Sequence, residues 1–151
     1  MSRFAEVVVL ALDAEEVVEP LTRDDEHRPW RGRFVQIQSQ WPGSFGNGWA
    51  TEFERMRPRS GFLEHLESLP WPRPESVQVL IHDEEDDCFG LWMIQDGKLV
   101  EVRLPHTERF HEPAPPNQDY PPNPGLLRRT DTGSDLPEQT PHHSRDPRPA
   151  W

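Results

Sequence analysis

The uneven distribution of proline divides the chain into two parts. Eleven of the 18 prolines lie at or after Pro105, in a segment with few large apolar residues. Proline removes a backbone donor and fixes φ, so a segment dense in proline does not continue a helix or a central strand. With so little apolar surface, the segment also cannot offset the entropy cost of ordering. The distribution predicts a compact domain over residues 1–105 and a Pro-rich, disordered tail over residues 106–151.

Three segments in the first half have strand-like patterns. Residues 6–12, EVVVLAL, are apolar at both alternating positions, which is typical of a central strand covered on both faces. Residues 33–41 alternate apolar and polar side chains and predict a half-exposed strand. Residues 49–56 fit a helix or a strand, and we favour a strand that forms a hairpin with 33–41.

Two segments have helical signals. Asp13 and Glu16 have the spacing of a capping box, and Pro20 ends that helix after about two turns. Residues 60–69 place large apolar side chains on one helical face, and the prolines that begin at Pro70 prevent its continuation. The second segment predicts the main helix of the domain.

Residues 76–104 change to a period of two. The runs VQVLIH, CFGLWMIQ and KLVEVRL predict three strands, and Asp96-Gly97 between the second and third is a strong hairpin signal. The acidic run Asp83–Asp87 is then expected in solvent, at the tip that joins the first two strands. The predicted fold class is α+β, with a mainly antiparallel sheet, a C-terminal three-strand meander and one main helix, followed by the tail.

The charge of the chain restricts its partners. The formal net charge is -11, and the first 104 residues hold 20 acidic and 11 basic residues, a net charge of -9. Such a field repels the phosphate backbone of a nucleic acid and attracts basic proteins. We expect a basic protein partner and no nucleic-acid binding.

Cysteine content and hydropathy indicate the compartment. Cys88 is the one cysteine, so an internal disulfide and a zinc site of four cysteines are excluded. The apolar run from Val7 to Leu12 is too short for a signal sequence or a membrane span, and acidic residues flank it. The sequence predicts a cytoplasmic protein that does not bind membranes.

Motifs for catalysis or cofactor binding are weak. The acidic run lacks the glycine and the alternating spacing of a calcium loop. His82 and Cys88 face each other across a predicted hairpin, but no strand-to-helix turn exposes the thiol as a nucleophile. We therefore predict no metal, no cofactor and no catalytic residue.

The leading hypothesis is a non-enzymatic, acidic protein-interaction module, an inhibitor or immunity-like protein that binds a basic partner. Loop-borne tryptophans add large, rigid contact area of the kind enriched at binding hot spots. The predicted partner-binding residues are Asp83, Glu84, Glu85, Asp86, Asp87, Trp30, Trp41 and Trp71. The alternative is a small-molecule-binding or hydrolytic enzyme whose site combines separated residues, for instance His65, His82, Asp83 and Cys88.

Overall fold

The apolar run near the N-terminus forms the centre of an antiparallel sheet. The computed structural model describes residues 4–40, 46–54, 57–110, 125–133, 136 and 151. Over these residues the chain is α+β, with a six-stranded sheet, a two-stranded sheet and two short α-helices. The elements are β1 (Ala5–Leu10), α1 (Glu15–Val18), β2 (Val35–Gln36), β3 (Gly48–Phe53), α2 (Phe62–Ser68), β4 (Gln78–Asp83), β5 (Gly90–Gln95), β6 (Lys98–Val102), β7 (Thr107–Phe110) and β8 (Leu126–Arg129).

The large sheet has the strand order β2-β3-β1-β4-β5-β6. Strand β1 pairs antiparallel with β3 on one side and with β4 on the other, which confirms a central strand. Residues 49–56 were expected as a strand, and β3 covers most of them. The predicted hairpin partner at 33–41 does pair antiparallel with β3, but only through Val35–Gln36, so the strand is shorter than predicted.

The hydrophobic core lies on one side of the large sheet. Helix α2, α1 and the loop before β2 supply apolar side chains that pack on Val7 and Val9 of the central strand. Trp30 is completely buried there, and its ring contacts the rings of Phe53 and Phe62 edge to face at 6.1 and 5.0 Å. We call this side of the sheet the closed side.

The two helices begin differently, and α1 lacks the predicted side-chain cap. Helix α1 starts after Ala14, and Asp13 adopts a left-handed conformation, φ 56°, in the turn from β1. This displaces Asp13 from the cap position, so the predicted capping box does not form. Helix α2 follows Gly61, whose φ of 81° suits glycine, and it ends at Ser68, just before the prolines.

The connections after β4 differ in length. Asp96 and Gly97 both have positive φ, 51° and 77°, as in the two-residue turn that matches strand twist, and they join β5 to β6. The acidic run joins β4 to β5 through residues 84–89, a longer path. That extra length lets the acidic run fold back over the closed side.

Strands β7 and β8 pair with each other and lie against β5 and β6 on the closed side. Arg109 of β7 forms a two-pronged ion pair with Glu101 of β6, with the nearest atoms 2.7 Å apart. Gly90 makes the close approach possible, because a Cβ there would lie 3.3–3.4 Å from Arg109, Glu101 and Leu127. Both strands lie beyond residue 105; the predicted division of the chain at that point stays a prediction.

Candidate functional site

The acidic run is not uniformly solvated, contrary to the sequence-based expectation. Asp83 and Asp86 are only 1% and 8% exposed, whereas Glu84 and Glu85 are exposed. The Asp86 carboxylate accepts hydrogen bonds from the backbone N–H groups of Asp83, at 3.1 Å, and Leu127, at 2.8 Å. Burial raises the pKa of Asp86 even though these N–H groups and the nearby Arg109 oppose the shift. Two of the five acids therefore stabilise the fold.

Asp87 joins the acidic run to β8. Its carboxylate accepts the backbone N–H of Arg129 at 2.8 Å and the guanidinium of Arg128 at 3.0 Å. The Arg129 N–H and then Arg128 hold the pKa of Asp87 below its ordinary value. The arginine-rich strand of the same chain is thus a basic partner of this carboxylate.

Asp83 holds an arginine that stacks on a tryptophan. The Arg59 guanidinium lies 3.3 Å from the Asp83 carboxylate and 4.7 Å from the centre of the Trp151 ring. Trp151 is 4% exposed and contacts the rings of Phe53 and Phe62 at 5.9 and 6.3 Å. The Asp83 side chain is therefore part of a packed core contact, and it does not face solvent.

The predicted tryptophans are buried wherever the structure describes them. Trp30 is 0% and Trp71 is 8% exposed, so the surface exposure expected for them is wrong. Each finds an acceptor inside: Trp71 Nε1 donates to the carbonyl of Leu66 at 2.7 Å, and Trp30 Nε1 donates to His65 Nδ1 at 2.8 Å. Burial of the rings with their donors satisfied explains the difference. Trp41 lies outside the described residues.

The four residues of the alternative enzyme site do not converge. His65 lies on α2, on the closed side, with Nδ1 bonded to Trp30. His82 lies on the opposite side of β4, where its ring nitrogens contact Glu6 at 3.2 Å and the carbonyl of Asp86 at 3.0 Å. Burial raises the pKa of the Cys88 thiol, which disfavours the reactive thiolate.

The second side of the large sheet carries a continuous apolar row. Residues that pair across strands share a face. One row crosses all six strands and consists of Val35, Ala50, Val8, Leu80, Leu91 and Val102. A parallel row adds Leu10, Gln78, Met93 and Val100. In the described part of the chain, none of the strand side chains on this side is buried, and we call it the open face.

Exposure along the open face rises toward both edges of the sheet. Val8, Leu80 and Leu91 in the middle are half-buried. Val35 and Val102 at the two edges are 62% and 37% exposed. A contiguous exposed apolar surface commonly marks an interaction site.

One end of the open face is acidic. Glu6 and Glu52 are directly opposite each other across β1 and β3, and Glu84 and Glu85 follow β4 at the same end. Like charges directly opposite across strands destabilise a sheet. Phe89 stacks on His82 here, with ring centres 5.1 Å apart. We call Glu6, Glu52, Glu84 and Glu85 the acidic end.

The open face was missed by sequence reasoning, although a signal for it was present. Residues 6–12 are apolar at both alternating positions, and we interpreted that pattern as a strand covered on both faces. The strand is central, but no described helix or loop buries Val8 or Leu10. Apolar residues also occupy both alternating positions of β5, where Leu91 and Met93 alternate with Trp92 and Ile94.

Comparison of the chain with protein-family models, with curated proteins and with solved structures found no match. Within the described residues, no group of three histidine, cysteine, aspartate or glutamate side chains is placed to hold a metal ion. No helix in the described ranges has both the length and the apolar character needed to cross a membrane.

Proposed function

We propose that this chain is an acidic protein-interaction module that binds a basic protein partner through its open face and acidic end. The observation that carries the proposal is the apolar row across all six strands, whose side chains the described part of the chain leaves unburied. A partner that covers this row removes apolar surface from water, which is the main favourable term in most protein association.

The acidic end supports a basic partner. Glu6 and Glu52 face each other in register, an arrangement that costs stability unless a cation lies between them. Glu6 contacts His82, but Glu52 is exposed and has no ion-pair partner within the described residues. An arginine or lysine of a partner would relieve this repulsion, so the pair favours binding of a cation at this place.

Charge also distinguishes a basic partner from a second copy of the chain. Two copies that meet through their open faces bring together two chains that each have a net charge of -11. The repulsion opposes self-association, while the same field speeds the approach of a basic protein. We therefore assign the open face to a basic protein.

The test uses the full chain as bait at low salt, and any basic protein that it captures is purified. Titration calorimetry then measures the affinity of that protein for the chain. Leu91→Gln on the open face and Glu52→Lys in the acidic end are each expected to weaken its binding by about tenfold or more. Glu64→Lys is the matched control, because Glu64 is exposed on α2, on the closed side. Charge reversal of Asp83 or Asp87 is avoided, since both hold arginines of the chain itself.

The Glu52→Lys variant distinguishes a direct loss of binding from a loss of binding caused by unfolding. The new lysine lies opposite Glu6 and converts a repulsive pair into an attractive one, so the variant is expected to unfold at an equal or higher temperature. Weaker binding by a more stable protein cannot arise from unfolding. The proposal is wrong if binding to the captured protein is unchanged by both open-face variants, or if wild type sediments as a dimer that Leu91→Gln dissociates.

A further inference from the structure

A cavity of about 590 Å³ opens on the closed side, away from the open face. It lies between α1, the loop that follows it, and the end of α2, and its volume is within the range of small-molecule sites. Val17, Leu21, Leu69 and Pro70 are among its apolar lining residues. None of the residues named on the open face lines this cavity.

Two donors line the cavity. His65 Nδ1 accepts the indole N–H of Trp30, so the proton of the neutral ring is on Nε2. That N–H has no acceptor in the described part of the chain. Arg28 is 7% exposed, its terminal nitrogens donate to backbone carbonyls, and its Nε–H is buried without a partner among the described residues. Two N–H groups of residues that line the cavity therefore have no acceptor among the described residues.

Acidic groups also line the cavity, because three of the remaining lining residues are carboxylates. Asp13, Glu16 and Asp25 contribute three negative charges against the single positive charge of Arg28. Asp13 contacts Arg73 at 3.8 Å, and Asp25 accepts the backbone N–H of His27 at 2.8 Å. Glu16 is exposed and makes no ion pair within the described ranges. The excess negative charge favours a cationic ligand.

We propose that this cavity binds a small organic amine that has an apolar body and an oxygen acceptor. The ammonium group meets Glu16 and Asp25, the apolar body packs against Val17 and Leu69, and the oxygen accepts the N–H of His65. Each part of the ligand matches a group in the lining, which an acidic surface alone would not provide.

The test uses tyramine as the probe, since it joins an amine, an aromatic body and a phenol oxygen. Its matched control is 3-(4-hydroxyphenyl)propionate, which has the same body and a negative charge. Proton–nitrogen correlation spectra of the full chain follow the indole N–H of Trp30, which bonds to the ring that lines the cavity. A Trp30→Phe spectrum assigns that signal.

Saturable shifts of the Trp30 signal with tyramine, and none with the propionate, are expected. Glu16→Lys is expected to weaken tyramine binding about fivefold, since it reverses one exposed charge beside the ligand. Glu85→Lys, an equal change of charge in the acidic run, is expected to leave the affinity unchanged. Absence of saturable shifts, equal binding of both probes, or equal effects of the two lysine variants would each overturn the proposal.

Discussion

Val7 and Val8 are neighbours on the central strand, yet their surroundings are opposite. Val7 is 1% exposed and packs within the core of the closed side, while Val8 is half-buried on the open face. The two side chains have the same volume and the same strand propensity. The difference shows that one apolar strand serves two purposes, and that only one of its faces contributes a packed core to the fold.

The largest difference between the faces is expected in stability. Val7→Ala removes buried methyl groups and leaves a cavity, so it should lower the free energy of unfolding by about 2–3 kcal/mol. Val8→Ala leaves no enclosed cavity and should cost at most about 1 kcal/mol. Urea unfolding of both variants measures this. Equal losses would show that the open face is packed as tightly as the core.

The acidic run allows a second comparison. Asp86→Ala leaves the N–H groups of Leu127 and Asp83 without their acceptor, and should lower the free energy of unfolding by about 1–3 kcal/mol. Glu85→Ala changes an exposed side chain and is expected to stay within about 0.5 kcal/mol of wild type. Denaturant titration distinguishes the two, and a neutral Asp86→Ala would contradict the structural role of this carboxylate.

The smallest expected effect is the contribution of His65, on the closed side, to the pH dependence of stability. Burial, and then the nearby Arg28 guanidinium, lower the pKa of His65 from its ordinary value of 6.5, so the folded chain favours the neutral ring. The unfolded state binds the proton more readily, so the stabilisation is complete above about pH 6.5 and declines as the pH falls below it. Thermal unfolding between pH 7.5 and pH 5.5 should show a smaller decline for His65→Gln than for wild type. Identical declines would mean that His65 does not contribute.

Much of the fold could be predicted because its signals are local. The period-two runs after residue 76, the Asp96-Gly97 turn and the helix that ends before Pro70 each follow from a few neighbouring residues. The long pairing of β3 with β1 could not be derived in the same way, because alternation indicates a strand but not its neighbour. The length of β2 was overestimated for the same reason.

The candidate sites depend on contacts between distant residues, which a sequence pattern does not contain. Five adjacent acids suggested a solvated tip, but Asp86 and Asp87 bind N–H groups and an arginine of β8, some 41 residues away. The burial of Trp30 likewise depends on His65, 35 residues later. The open face could in principle have been predicted from the sequence, because apolar residues at both alternating positions of a strand require either two covered faces or a partner.

The bond between Asp86 and Leu127 has a consequence for the order of folding. The two residues are 41 positions apart, so the chain between them must close a long loop before this bond contributes any stability. The acceptor side is assembled locally, by the turn that follows β4, whereas β8 must be brought in from a distance. Contacts of such high sequence separation are typically slow to form. The β1–β4 pairing joins residues even farther apart, such as Ala5 and Asp83, so we expect both of these long-range pairings to form after the local β5–β6 hairpin.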